Sequence, residues 1–249
     1  MRSPSLMVCL AGLVSLAVQA AEPGHLGTIT GTVRLTGKPP ILAPRLATND
    51  LEVCGEEARP SLALLLGPNQ TIGNAIVYLA VVTGNQATNN LPPATLEALD
   101  CELTPRIQIA RSGAALILRN RDPVLHIVHL DTLSATNGTR QLITVPMPYA
   151  GFEKQYVFGQ PKEPTLLKVA GVNGHEWMTA YIALIPNPWA AITDESGKFQ
   201  IGPLPAGTYK LHVWHEVLGT FAREVKVVAG QPTRLDLEFV RPASSQPTD

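Results

Sequence analysis

The sequence predicts an all-β protein, and three observations predict it. The apolar residues fall in short runs bounded by Gly, Pro, Asn or Asp, the pattern of strands closed by turns. The chain carries 22 Pro and 20 Gly among 249 residues, a density of turn formers that suits many short strands. Beyond the first residues, no segment sustains the 3.6-residue apolar period of a long helix.

The elements follow in chain order. Met1 and Arg2 give a basic start, and an apolar run over 6–18 is shorter than a bilayer span. Val18, Gln19 and Ala20 form a small-residue cleavage pattern, with Ala21 as the other option. Residues 1–20 therefore read as a signal peptide rather than a retained anchor. The mature protein is expected to be periplasmic or secreted, with no membrane span after cleavage.

A first strand is expected over 28–35, stopped by Gly37, Pro39 and Pro40. One short helix fits within 48–58. A strand of the fully buried type covers 75–82, and the polar 86–93 reads as a loop. Further strands are expected over 106–109, 115–119, 126–130, 141–145, 153–158, 165–169 and 178–185, the last closed by Pro186 and Pro188. The final block has the clearest turn chemistry. Asp194 to Gly197 and Gly202 to Gly207 are turns, separating strands over 198–201 and 208–214. Strands over 224–228 and 233–239 end the sheet, and the Ser/Pro-rich 241–249 is expected to be a disordered tail.

Charge excludes one class of function. Lys and Arg number 19 against 20 Asp and Glu. Loss of Arg2 with the leader leaves 18, a net charge of −2. With no basic run, there is no electrostatic case for nucleic acid. The motifs of common enzymes are also missing: no nucleophile elbow, phosphate-binding loop or His-Glu-x-x-His pair. A non-enzymatic role is expected. Cys54 and Cys101 remain after removal of the leader. An even count in an exported protein predicts a disulfide, the alternative being two separate buried thiols.

Two blocks resemble known families. The stretch from Ala191 to Phe239, with Thr193-Asp194-Glu195-Ser196-Gly197-Lys198-Phe199 and Pro205-Ala206-Gly207-Thr208-Tyr209, resembles a carboxypeptidase regulatory-like domain. That resemblance implies a transthyretin-like β-sandwich, usually non-catalytic. Its opening strands resemble Gly27 to Leu35 and Asn74 to Leu79. The sandwich is then discontinuous, over 22–94 and 188–240. The insert, 95–187, resembles a cupredoxin, which implies a Greek-key β-barrel. Its motifs are the run from Arg119 to His129 and Val172-Asn173-Gly174-His175-Glu176-Trp177-Met178. The combined arrangement is similar to bacterial methylamine utilization or plastocyanin-like proteins.

The cupredoxin likeness implies a copper site, carried over residue by residue. His126 takes the early-strand imidazole position. His175 and Met178 take the loop imidazole and thioether positions. The thiolate position falls on Val172, so a blue-copper donor set is incomplete. Two imidazoles and a thioether still suit Cu(I), or Cu(II) with water. Glu176 stands where related sequences usually have Pro, adding a carboxylate. His129, three residues beyond His126, belongs to the opposite face of a regular strand and reads as an outer or extra ligand. His212 and His215 are placed apart by the same rule. The expected function is a Cys-less, non-blue copper-binding protein, in carriage or as an accessory to periplasmic electron transfer. The partner is an unidentified protein, such as a redox or outer-membrane protein. The alternative is a metal-free structural or interaction module for a protein or glycan.

Overall fold

The computed structural model describes residues 26–80, 93–134, 138–157, 159 and 161–241. The expected signal peptide, the tail beyond Arg241 and most of the 86–93 loop lie outside these residues. The chain starts with β1 (Leu26–Thr36), a single helical turn α1 (Leu51–Cys54), β2 (Leu65–Leu66), β3 (Ile72–Gly73) and β4 (Ile76–Leu79). Nine strands follow: β5 (Ala94–Leu99), β6 (Glu102–Thr104), β7 (Ile107–Arg111), β8 (Ala115–Asn120), β9 (His126–Ser134), β10 (Gly138–Met147), β11 (Glu153–Val157), β12 (Thr165–Val172) and β13 (Thr179–Ile185). The last six are β14 (Ala190–Ile192), β15 (Lys198–Pro205), β16 (Gly207–His215), β17 (Gly219–Val227), β18 (Pro232–Arg234) and β19 (Leu237–Val240).

The protein is all-β, and its strands sort into two lobes. In the first, β15-β1-β18, with β19 also on β1, faces β14-β4-β16-β17. The period of two explains the packing. Phe199, Ile201 and Leu204 of β15, and Leu211 and Val213 of β16, turn inward into one core with Ile29, Val33 and Val77. β1 and β4, far away in sequence, complete the sheets begun by β14–β19.

In the second lobe, β10-β9-β12-β13-β7 faces β11-β8-β5-β6. Leu96, Leu118, Leu130 and Val169 are fully buried between these sheets. Each such side chain contributes roughly 2 kcal/mol. The sheets stay open where a Greek-key barrel was expected. One cause is local: β6 has only three residues, and Pro105 after it has no N–H to continue a ladder.

Two features among the described residues help hold the lobes together. Ile76, Ile107, Ala183 and Ile185 make a small shared core, flanked by Tyr78, Tyr181 and Trp214. Beside it, Arg106 grips Glu216 through Nε–Oε1 at 2.7 Å and Nη2–Oε2 at 2.6 Å, and donates to the Thr179 carbonyl at 2.9 Å. His215, adjacent to Glu216, is inward-facing and 1% exposed. Its ring is pushed down to about 4 by burial and by the Arg106 charge. His212 lies on the other face of β16, stacked on Tyr78 at 5.3 Å.

The segment around α1 crosses this division. It follows β1 in sequence, yet Ala47, Val53 and Cys54 pack into the core of the second lobe. Arg45 pairs with Glu102 there. Cys54 and Cys101 form a disulfide across a sequence separation of 47.

Candidate metal centre

The site begins at the turn between β5 and β6. Leu99 and Glu102 face each other across the ladder, so Asp100 and Cys101 make a two-residue hairpin turn. Both have left-handed backbones, with φ of 52° and 56°. Such a turn usually takes Asn or Gly, so two larger residues there need support. Asp122 supplies it. Its Oδ1 accepts the Asp100 N–H at 2.8 Å, and its Oδ2 accepts the Cys101 N–H at 3.0 Å. The Trp177 indole N–H donates to the Cys101 carbonyl at 2.8 Å.

The same Asp122 holds His126. Its Oδ2 lies 2.8 Å from His126 Nε2. Asn120 fixes the intervening loop: its amide donates to the carbonyls of Val124 and Met147, and its oxygen accepts the Asp122 N–H. His126 is 0% exposed, and its Nδ1 has no hydrogen-bond partner among the described residues. In the tautomer whose Nε2–H donates to the carboxylate, Nδ1 would carry the lone pair. Leaving such an atom buried and unpaired costs about 1–3 kcal/mol.

His175 comes from the loop between β12 and β13. Asn173 and Gly174 take left-handed backbones, with φ of 58° and 89°. A side chain on Gly174 would meet Asn49 Cβ at 2.8 Å, so glycine lets the α1 segment close over the loop. Thr48 Oγ1 donates to the Gly174 carbonyl at 3.1 Å. His175 is 2% exposed and meets His126 edge to face, ring centroids 4.7 Å apart. Its Nε2 lies 3.3 Å from Asp50 Oδ2 and 3.7 Å from Cys54 Sγ. Burial pushes its pKa below the ordinary value; the neighbouring His126 adds to this, and Asp50, Glu176 and Asp122 oppose it. A neutral ring keeps a lone pair for a metal.

The other expected residues divide. Met178 is fully buried in the core that holds Cys54 and Cys101, its N–H bonded to the His175 carbonyl at 3.0 Å. Glu176 does not join the pair. It is exposed, and its carboxylate turns back to accept the Gly174 N–H at 3.0 Å. His129 is half-buried on the alternate face of β9 from the buried His126, Val128 and Leu130. Val172 is the main correction. It pairs with Ile127, on the outer face of β9 and β12, while Gly171 and Val128 share the inner face. A thiolate at 172 would start on the side of the sheet away from His126.

Sequence reasoning missed three things here. Asp122 lies within the quoted motif, four residues before His126, and an acid so placed is a recognisable orienting group. Met147 lies opposite His126 on β10 and is 1% exposed, a register that sequence does not reveal. The cysteines also belong to the site. The donor atoms of Cys54, Cys101 and His175 lie within 4.8 Å of one another, as do those of Cys101, Asp122 and His126.

Residues 179–240 match the carboxypeptidase regulatory-like domain, a span from β13 to β19. Among solved structures, the chain is similar to a novel purple cupredoxin from Nitrosopumilus maritimus, at 17% identity and a TM-score of 0.29, over 36% of this chain and 98% of that one. It is also similar to a Cu-containing nitrite reductase from Thermus scotoductus SA-01, at 17% identity and a TM-score of 0.31. That alignment covers 42% of this chain and 25% of the reductase, so it spans a quarter of that protein. No curated protein matches the chain.

Proposed function

We propose that this is an exported, non-catalytic copper-binding protein whose ion is held by His126 and His175 in the second lobe, beneath the α1 segment. The observation that carries the reading is the Asp122–His126 pair. Metal-ligating imidazoles are commonly oriented by a carboxylate on the far ring nitrogen. Here Nε2 is so held, and Nδ1 is buried without a partner among the described residues.

The donor set fits copper. Imidazoles suit copper in either oxidation state, and thioethers such as those of Met178 and Met147, buried in the same core, favour Cu(I). Bound copper would supply one-electron chemistry or a transferable ion. The chain's own residues do the rest. Asp122 fixes the tautomer and orientation of His126. Trp177, anchored on Cys101, packs against His175 with ring centroids 5.1 Å apart. The α1 segment covers the loop and keeps water out. With the cysteines bonded to each other, no intense thiolate-to-copper colour is expected.

The packing of both rings against a disulfide also favours a second reading, a metal-free core in a module for a protein or glycan partner. One experiment separates the two. Oxidised protein is loaded with copper, dialysed and melted, beside a His175→Ala variant. The copper reading expects about one ion per chain and a higher melting temperature, both lost in the variant, because a ligand of the native state alone stabilises it. No retained copper and an unchanged melt would support the metal-free module.

A further inference from the structure

We propose that the Cys54–Cys101 disulfide is a redox gate on the metal centre: when it is reduced, the two sulfurs join the imidazoles as a thiolate–imidazole site for a soft ion, Cu(I). The proposal deepens the reading of His126 and His175 as ligands, and rests on it. It places the missing sulfur ligands in residues 54 and 101, not at 172.

The geometry is direct. Both cysteine sulfurs lie within 4.8 Å of a His175 ring nitrogen, and the Cys101 sulfur is also within 4.8 Å of a His126 nitrogen and an Asp122 oxygen. Cys101 therefore belongs to both clusters. In the disulfide, the sulfurs are weak acceptors and poor ligands. As thiolates, they are the donors that select Cu(I). Nothing would have to travel far, because Asp122 and Trp177 hold the Cys101 backbone independently of the S–S bond.

The step needs a dithiol reductant. Its thiolate attacks Cys54 Sγ, the Sγ–Sγ bond breaks, and Cys101 leaves as the thiolate. The second thiol of the reductant attacks the mixed disulfide and releases Cys54. The reductant becomes a disulfide, and its two electrons and two protons end on the cysteines. Cys54 and Cys101 are 4% and 1% exposed, so access requires local opening. The covering element suits this: α1 is one turn of four residues, and Asp50 at its N-cap makes no side-chain capping bond.

The test uses the full protein under anaerobic conditions. One sample is kept oxidised and given Cu(II). A second is reduced with a phosphine, desalted, and titrated with Cu(I) against a Cu(I) chelator, beside Cys54→Ser/Cys101→Ser. The proposal expects reduced wild type to bind Cu(I) tighter than the variant by about a hundredfold, with ultraviolet thiolate-to-Cu(I) absorption. The second readout needs no variant. The disulfide's midpoint potential, measured with and without Cu(I), should rise by about 59 mV for a hundredfold tighter binding of Cu(I) by the reduced than by the oxidised protein.

Equal affinities, or in a poorly folding variant a potential that ignores Cu(I), would overturn the gate. The oxidised sample separates the two ideas. Cu(II) retained there with no effect of reduction leaves the function and removes the gate. Binding only after reduction keeps the gate and removes the disulfide-bonded copper form.

Discussion

Asp122 Oδ2 lies 2.8 Å from His126 Nε2 while the same carboxylate accepts the N–H groups of Asp100 and Cys101. One side chain thus orients the imidazole and holds the cysteine-bearing turn. Asp122→Asn keeps the size and removes the charge. It is expected to weaken copper binding about 10–100-fold, the usual weight of such an orienting partner. A competition titration against a chelator reads this directly, and unchanged affinity would remove Asp122 from the account.

Val172→Cys separates the two faces of β12. Because Val172 pairs with Ile127 on the outer face, the added thiol is expected to give no intense visible band with Cu(II). Such a band in folded protein would place residue 172 beside the imidazoles and reverse the face assignment.

Arg106 and Glu216 join the lobes with side chains 13% and 6% exposed. Removing one partner leaves a buried charge, so Arg106→Met or Glu216→Met is expected to cost about 3–5 kcal/mol. The double substitution should cost less than the sum of the two. Urea unfolding of the four proteins gives the coupling, and simple additivity would contradict it.

His215 makes stability fall with acid. Its folded pKa, about 4, lies below the ordinary value of 6.5. The unfolded chain therefore binds the extra proton first. Stability is full above pH 6.5 and is lost as pH falls towards 4, by about 3 kcal/mol over that window. Urea melts across it should show a shallower slope for His215→Gln. Parallel slopes would mean that the ring is not held neutral.

Much of the fold is legible because its signals are local. Strands such as β15 and β16 show their inner faces as alternating apolar residues, and the turn at Asp194 announces itself; the turn expected over Gly202 to Gly207 is instead strand, β15 running on through Pro205 and β16 starting at Gly207. The pairing of β1 with β15 and β19 was legible only through the family likeness of Gly27 to Leu35. Within the site, His126 and His175 were found by motif. Three features were not. The parity of Val172 depends on register, where one residue of slip exchanges the faces. The role of Glu176 depended on a turn that folds its carboxylate back to Gly174. The cysteines were legible as a pair, but Cys54 lies 121 residues from His175. Only the packing of α1 on the second lobe brings the sulfur to the rings.

The most direct test of the central claim is pulsed electron paramagnetic resonance on oxidised, Cu(II)-loaded protein, which counts imidazoles on the ion. Wild type should show two coupled imidazoles, and either His126→Ala or His175→Ala should show one. Copper bound without imidazole coupling, or with the same coupling in all three proteins, would contradict it.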